Sequence, residues 1–175
     1  MPSSSRYLIS SQTLGSSAAS VTFSSIPSTY TDLVVRYSVR CDVAGSVASI
    51  IFKINGSSST SDYSFTILSG NGATASSSQV ATGVLGYFQM TQGMPGATAT
   101  SNTFASNELY VPNYAGSAKK TINHTTAQEN NTTTAYIKSY AQLYNATTAI
   151  TSLSFENADL FSAGSSFYLY GLKSS

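Results

Sequence analysis

Apolar and polar residues alternate with a period of two along much of the chain, and few stretches have apolar residues at helical spacing. A period of two places successive side chains on opposite faces of a β-strand. The pattern therefore predicts an all-β fold. The clearest predicted strand is 31–42, in which one face is formed by Leu33, Val35, Tyr37, Val39 and Cys41.

The alternation predicts about ten short strands bounded by turn residues. Asn55-Gly56 marks one turn, and Ser69-Gly70-Asn71-Gly72 is typical of a hairpin. The segment 73–101 is predicted to consist mainly of long loops, because glycines surround its single candidate strand at 84–91. The other predicted strands are 7–9, 21–24, 31–42, 47–54, 63–67, 104–111, 120–126, 134–143, 149–155 and 166–172.

Strands of this number and length are typical of two packed antiparallel sheets. We therefore predict a two-sheet antiparallel β-sandwich with a jelly-roll-like connection. A chain of 175 residues has the size of one domain. We expect residues 11–175 to form this single sandwich, and residues 1–10 to form an N-terminal arm with the first short strand.

The composition indicates a polar surface that carries almost no charge. Charged residues make up 9% of the chain, against about 25% in ordinary proteins, while Ser and Thr number 34 and 21. The formal net charge of +1 is too small for binding to a nucleic-acid backbone. The 12 Tyr and 8 Phe can supply the core volume that so polar a chain otherwise lacks.

The sequence also shows no recognisable targeting signal. Its first residues lack the basic start and apolar run of a signal peptide, and no stretch approaches the roughly 18 apolar residues of a membrane span. The single cysteine, Cys41, excludes an intramolecular disulfide. We therefore expect a protein made in a reducing cytoplasm, without membrane binding.

Catalytic candidates are few. His124 is the only histidine, so a site with several imidazole ligands cannot form, and no Gly-x-Ser-x-Gly motif supports a Ser-His-acid triad. A glycosidase needs two facing carboxylates, and a hard cation needs clustered oxygens. The seven carboxylates are instead scattered, and turn formation is the better interpretation for three of them, Asp32, Asp42 and Asp62. We predict no catalytic residue, no metal and no cofactor.

Two predicted strands carry residues that are typical of protein interfaces on the face assigned to solvent. The alternative is that these faces lie under a loop or pair with acidic residues on neighbouring strands. A surface of short, uncharged side chains loses little hydration energy and little side-chain entropy on burial, which suits packing against other copies. The interface candidates are Arg36 and Arg40 in 31–42, and Tyr136, Lys138, Tyr140 and Tyr144 in or just beyond 134–143.

Four blocks that occur in order along the chain resemble small virion structural proteins of tailed bacteriophages. They are VTFSSIPSTYTDLVV at 21–35; FKING at 52–56 with DYS at 62–64; VPNYA at 111–115; and GSSFYLYGL at 164–172. Such proteins often have Asp after the Asn-Gly turn, where this chain has Ser57, which argues against a cation at that turn. The resemblance implies a non-enzymatic β-sandwich on the phage particle, in the head or in the tail.

The resemblance and the composition together lead us to expect a capsid decoration or cement protein. It would reach the virion from the host bacterial cytoplasm and clamp neighbouring subunits of the major capsid protein. We expect a homo-oligomer, with a trimer favoured because threefold positions repeat one interface around a closed ring. The alternative is a tail-fibre or receptor-binding module that recognises host surface glycan with tyrosine rings and loop amides.

Overall fold

A computed structural model describes residues 5–129 and 135–173, and confirms the predicted all-β fold. No helix in these two ranges is long and apolar enough to span a membrane. Besides one 3₁₀ turn, Thr60–Asp62, the secondary structure consists of β1 (Ser5–Thr13), β2 (Ala18–Phe23), β3 (Asp32–Val39), β4 (Val47–Ile54), β5 (Tyr63–Gly70), β6 (Ala75–Val80), β7 (Phe88–Pro95), β8 (Ala105–Val111), β9 (Lys120–Glu129), β10 (Ala135–Tyr144), β11 (Leu153–Phe161) and β12 (Ser166–Lys173).

The strands form two antiparallel sheets, in the orders β1-β12-β3-β8-β9-β10-β5-β6 and β2-β11-β4-β7. Strands β1, β12, β3 and β8 together with the whole smaller sheet have the connectivity of an eight-stranded jelly roll, as predicted. Two antiparallel pairs, β5 with β6 and β9 with β10, are inserted between strands of this jelly roll and extend the larger sheet. The larger sheet therefore projects beyond the smaller one.

Aromatic rings fill the space between the sheets. Phe52 of the smaller sheet contacts Phe88 and Phe155, with centroid distances of 5.8 and 5.1 Å. Tyr37 and Phe167 of the larger sheet both contact Phe155, at 4.9 and 5.5 Å. Offset and tilted packing of this kind adds to the free energy gained by burying the rings, and the rings supply the core volume predicted from the composition.

The structure corrects the prediction of mainly long loops in 73–101. This segment contains β6 and the whole of β7, which begins four residues later than the candidate strand and ends at Pro95. Proline is tolerated there because β7 is an edge strand of the smaller sheet. β6 pairs with β5 through a turn that bonds the Asn71 N–H to the Thr74 carbonyl, which confirms the predicted hairpin.

The N-terminal region is a strand over most of its described length. β1 pairs with β12 from Ser5 to Thr13, so the predicted boundary at residue 10 falls inside a strand. The expected arm lies partly outside the described residues, which begin at Ser5. β12 in turn lies between β1 and β3; it buries Phe167 and Leu169 on its inward face, while Tyr168 and Tyr170 on the other face are half-buried.

Candidate functional site

The assignment of Lys138, Tyr140 and Tyr144 to a solvent face is wrong. All three side chains are buried, at 7%, 1% and 2% exposure, whereas Ile137 on the opposite face is 61% exposed. Tyr136, on the same face as the buried three, is half-buried. The even-numbered residues of β10 therefore point into the protein.

The physical reason for this orientation lies in polar partners on β7. The Lys138 ammonium donates to the Thr91 carbonyl at 2.9 Å and to Thr91 Oγ1 at 3.1 Å. The Tyr140 hydroxyl donates to the same carbonyl at 3.1 Å. These hydrogen bonds offset the free-energy cost of removing the ammonium and the hydroxyl from water. Burial lowers the pKa of Lys138 and raises the pKa of Tyr140 to about 12.

Arg36 is exposed, and it pairs across strands as the alternative interpretation anticipated. Its Nε lies 2.5 Å from Glu108 Oε2, and the two residues are directly opposite in the register of β3 and β8. Exposed ion pairs contribute little to stability. Arg36 therefore has its own acidic partner on the surface of the larger sheet.

Arg40 lies under a loop, which was the other alternative. Its guanidinium donates to the main-chain carbonyls of Ala97, Ala99, Thr100 and Thr103, at 2.7 to 3.2 Å. A planar group with five N–H donors is suited to gathering several carbonyls. Arg40 thus fixes the loop between β7 and β8 and has a structural role in this chain.

The carboxylates serve as individual acceptors or ion-pair partners. Asp32 accepts from the Asn113 N–H at 2.8 Å and Asp42 from the Leu160 N–H at 2.9 Å, so both tie segments distant in sequence instead of forming local turns. Asp62 accepts from the Ser57 hydroxyl. Lys53 pairs with Glu156 at 2.9 Å. In the described ranges, no group of three or more His, Cys, Asp or Glu residues could hold a metal ion.

His124 is completely buried in the larger sheet. Its Nε2 lies 2.8 Å from the Tyr37 hydroxyl, and its ring stacks on that of Tyr37 with an interplanar angle of 6°. Burial lowers the pKa of His124 to about 3. The imidazole is therefore neutral and shielded from solvent, which is the environment of a core histidine.

A polar layer surrounds His124 on the inward faces of β8, β9 and β10. These positions have less cover than the jelly roll itself, since the smaller sheet ends at β7. Thr126 Oγ1 donates to the Gly93 carbonyl on β7. Several other buried polar atoms in the layer have no hydrogen-bond partner among the described residues. They are both amide atoms of Asn107 and of Gln128, Nδ1 of His124 and Oε1 of Gln142. In the sequence this layer corresponds to polar residues at alternate positions of 120–129. Because polar residues occupy both faces of this strand, the pattern does not show which face is buried.

The opposite surface of β10, β5 and β6 carries no charged side chain and exposes apolar side chains. We call the outward side of β10, β5 and β6 the outer face. Its two most exposed apolar residues, Leu68 and Ile137, are 60% and 61% exposed, and one groove of about 520 Å³ is lined by both. A second groove of about 780 Å³ reaches from this face to Tyr110. The outer face comprises Ser64, Thr66, Leu68, Ala75, Ser77, Gln79, Ala135, Ile137, Ser139, Ala141 and Leu143.

The two edges of the larger sheet differ. β1 has a register irregularity between Leu8 and Ser10, and Arg6 lies 5.5 Å over the Tyr170 ring beside it. Bulges and charges are features that block unwanted strand pairing. β6 pairs with β5 without irregularity and contains no charged residue and no proline. The β6 edge therefore lacks these protections.

A cleft of about 420 Å³ lies on the inward side of β5, β6 and β10, where the larger sheet projects beyond the smaller one. Its lining contains one charged residue, Lys138, and no carboxylate. Most of the remaining side chains carry hydroxyl or amide groups. The lining residues are Ile67, Ser69, Gly70, Asn71, Thr74, Ser76, Ser78, Thr91, Gln92, Tyr136 and Lys138.

Comparisons with known proteins identify no family for this chain. No protein family model matches the sequence, and no curated protein matches it. One similar solved structure is the crystal structure of a functionally unknown protein from Saccharomyces cerevisiae, with 11% identity, 89% of this chain and 73% of that chain covered, and a TM-score of 0.29. That degree of similarity carries no argument about function.

Proposed function

We propose that this chain is a non-enzymatic structural protein of a tailed-phage particle, with head decoration as its role. In this role it binds neighbouring major capsid subunits as a homo-oligomer and reinforces their contacts. The observation that carries the proposal is the outer face, where Leu68 and Ile137 are exposed on a surface without charged side chains. The sequence resemblance to small virion proteins supports a tailed phage as the type of particle.

The chemistry of the outer face supports permanent burial. Leu68 and Ile137 are 60% and 61% exposed, so removing the rest of each side chain from water is favourable by roughly 1–2 kcal/mol. The surrounding Ala, Ser and Thr side chains are short, so ordering them costs little entropy. No charged group on this face has to be desolvated, which removes the largest penalty in forming an interface. A partner with a complementary apolar surface therefore fits here.

The edge of β6 supports contact between copies. Every second residue of an antiparallel edge strand directs its N–H and C=O away from its neighbour, and β6 has neither a bulge nor a charge to prevent pairing. A heterologous contact from this edge to another copy closes into a ring when the rotation allows it. We favour three copies, because threefold positions on a head present such a ring with three equal attachment points.

Particle stability tests the decoration role. Heads that lack this chain are heated or osmotically shocked, alone and after addition of the purified protein, and DNA release is measured. We expect added wild-type protein to lower DNA release. Ile137→Asp should bind the heads at least about tenfold more weakly, because it places a charge in a buried apolar contact. Val84→Asp is the matched control, since Val84 is also 61% exposed but lies outside the outer face.

The outcomes separate clearly. Equal protection by Ile137→Asp and wild type would exclude the outer face as the attachment surface. No protection by wild-type protein would remove the decoration role altogether. Loss of protection by Val84→Asp as well as Ile137→Asp would indicate a general sensitivity to added charge, and would also contradict the assignment to the outer face.

A second candidate function is recognition of host surface glycan by a tail-fibre or receptor-binding module. The specific observation in its favour is the cleft beside Lys138, whose hydroxyl and amide groups are suited to hydrogen bonding with sugar hydroxyls. Tyr136 lines the same cleft and contributes an aromatic ring. Location of the chain at the tail in particle images, together with binding of the purified protein to whole host cells, would favour this function over decoration.

A further inference from the structure

Two lysines of this chain are buried, and they differ in how their ammonium groups are satisfied. Lys120 is 2% exposed and donates to the carbonyls of Gly116, Thr147 and Thr148, at 2.8, 3.1 and 2.7 Å. Its three N–H groups therefore have three acceptors. Lys138 is 7% exposed and donates to two atoms of one residue, Thr91. One of its N–H groups has no acceptor in the described part of the chain.

The charge of Lys138 also has no counterion in the described ranges, where the ion pairs are Arg36 with Glu108 and Lys53 with Glu156. A buried ammonium without an anion is costly, and two neutral acceptors offset that cost only in part. Lys138 nevertheless lines the open cleft of about 420 Å³, which contains no carboxylate. The site thus combines a buried positive charge with space for an anion from solvent.

Polar side chains continue from Lys138 across the cleft. In the strand register, Lys138 of β10 is opposite Ser69 of β5, and Ser69 is opposite Ser76 of β6. Neighbouring strands are roughly 5 Å apart, so the Cα atoms of Ser69 and Ser76 lie about 5 and about 10 Å from the Cα atom of Lys138. Asn71, Thr74 and Gln92 add further hydrogen-bonding groups around the row.

We propose that this cleft binds an acidic sugar, with the sugar carboxylate against Lys138 and the sugar hydroxyls against the row of Ser69 and Ser76. The inference deepens the second candidate function and is independent of head decoration. A cleft of this volume lies within the roughly 300–1,000 Å³ typical of small-molecule sites. The ligand is a sugar and not a bare anion because the hydroxyl and amide groups of the lining can both donate to and accept from several sugar hydroxyls, more than one small anion would use.

Titration followed by amide chemical shifts of the full chain tests the proposal, with glucuronate, glucose and acetate as separate probes. We expect glucuronate to shift the amides of 69–78, 91–92 and 138. Glucose lacks the carboxylate, and acetate lacks the hydroxyls, so each should bind at least about tenfold more weakly. Lys138→Met should weaken glucuronate binding by about tenfold or more, as expected for loss of a charge-assisted hydrogen bond.

A second pair of variants guards against misfolding of the Lys138 variant. Ser76 and Ser77 are adjacent, both exposed, and on opposite sides of β6. Ser76→Asp places a carboxylate in the cleft, where it repels the carboxylate of the ligand, and should abolish glucuronate binding. Ser77→Asp is the matched control on the outer face and should bind glucuronate as wild type does.

Four results would overturn the proposal. They are no binding of glucuronate by wild type, equal affinity for glucose and glucuronate, equal affinity for acetate and glucuronate, and equal loss in Ser76→Asp and Ser77→Asp. Failure of glucuronate binding at this cleft can be distinguished from failure of the glycan function as a whole. Binding of purified protein to host cells that survives in both Lys138→Met and Ser76→Asp would keep the glycan function and place it elsewhere.

Discussion

The Tyr37 hydroxyl lies 2.8 Å from Nε2 of His124, although β8 separates the strands that carry the two residues. With the pKa of His124 lowered to about 3, the imidazole is neutral above that pH, and a hydrogen bond joins its Nε2 to the Tyr37 hydroxyl. The contact therefore links β3 to β9 inside the larger sheet. It also makes stability depend on the protonation of one buried side chain.

Acidification should destabilise the protein through His124. The pKa is about 3 in the folded protein and 6.5 in a free histidine, so below pH 6.5 protons bind the unfolded chain preferentially. Stability from this residue is present above pH 6.5 and is lost as the pH falls toward 3, by up to about 1.4 kcal/mol per pH unit. Urea unfolding at several pH values measures this loss.

His124→Gln isolates that contribution. Glutamine offers Tyr37 both a donor and an acceptor but does not titrate. The unfolding free energy of the wild type minus that of the variant should therefore fall as the pH falls from 6.5 to 4. Ionisation of the carboxylates affects both proteins and cancels in the difference. A difference that stays constant over this range would contradict a neutral, buried His124.

Lys120 should be a strong structural determinant. Lys120→Met removes the common partner of three main-chain carbonyls, in the segments around Gly116 and 147–148. Leaving buried acceptors unpaired costs about 1–3 kcal/mol each where water cannot replace the donor. We expect a loss of at least about 3 kcal/mol in urea unfolding, and a smaller loss for Lys138→Met, whose ammonium bonds only to Thr91. Equal losses would contradict the distinction between the two lysines.

Arg40 and Arg36 should differ in the same way, although the sequence placed them on one strand face. Arg40→Ala frees the four carbonyls of the 97–103 loop and should increase amide exchange in that loop at least about tenfold. Arg36→Ala breaks only an exposed ion pair, so its cost should stay below about 1 kcal/mol and loop exchange should not change. Similar loop exchange in the two variants would show that Arg40 does not anchor the loop.

Much of the sandwich could be predicted from the sequence because many strands bury one face and have alternating apolar residues. β3 is an example. β4 was predicted with its observed bounds, Val47–Ile54, from a run that is apolar on both sides, although the structure buries only one side of it fully. β6 could not be found in this way, since half of Ala75–Val80 is serine and all of it except Val80 is exposed. It exists because the Asn71 turn brings it against β5, and a pattern of burial cannot report pairing of this kind.

The faces of β10 show a second limit. Ile137, Ala141 and Leu143 form the more apolar face by residue type, yet Tyr140 and Tyr144 on the other face are the buried ones. Tyrosine rings bury more apolar area than alanine, and Thr91 on a distant strand accepts the polar groups. Acceptors supplied by the tertiary fold are invisible in the local sequence, so the interface candidates on this strand could not be placed correctly.

Quantitative mass spectrometry of gradient-purified phage particles tests the central claim most directly. The amount of this chain is measured against the major capsid protein across the particle peak and in the lysate. A structural protein should remain at one fixed ratio across the peak and be enriched in particles. Accumulation of the chain in the lysate, with none in the particles, would contradict the account.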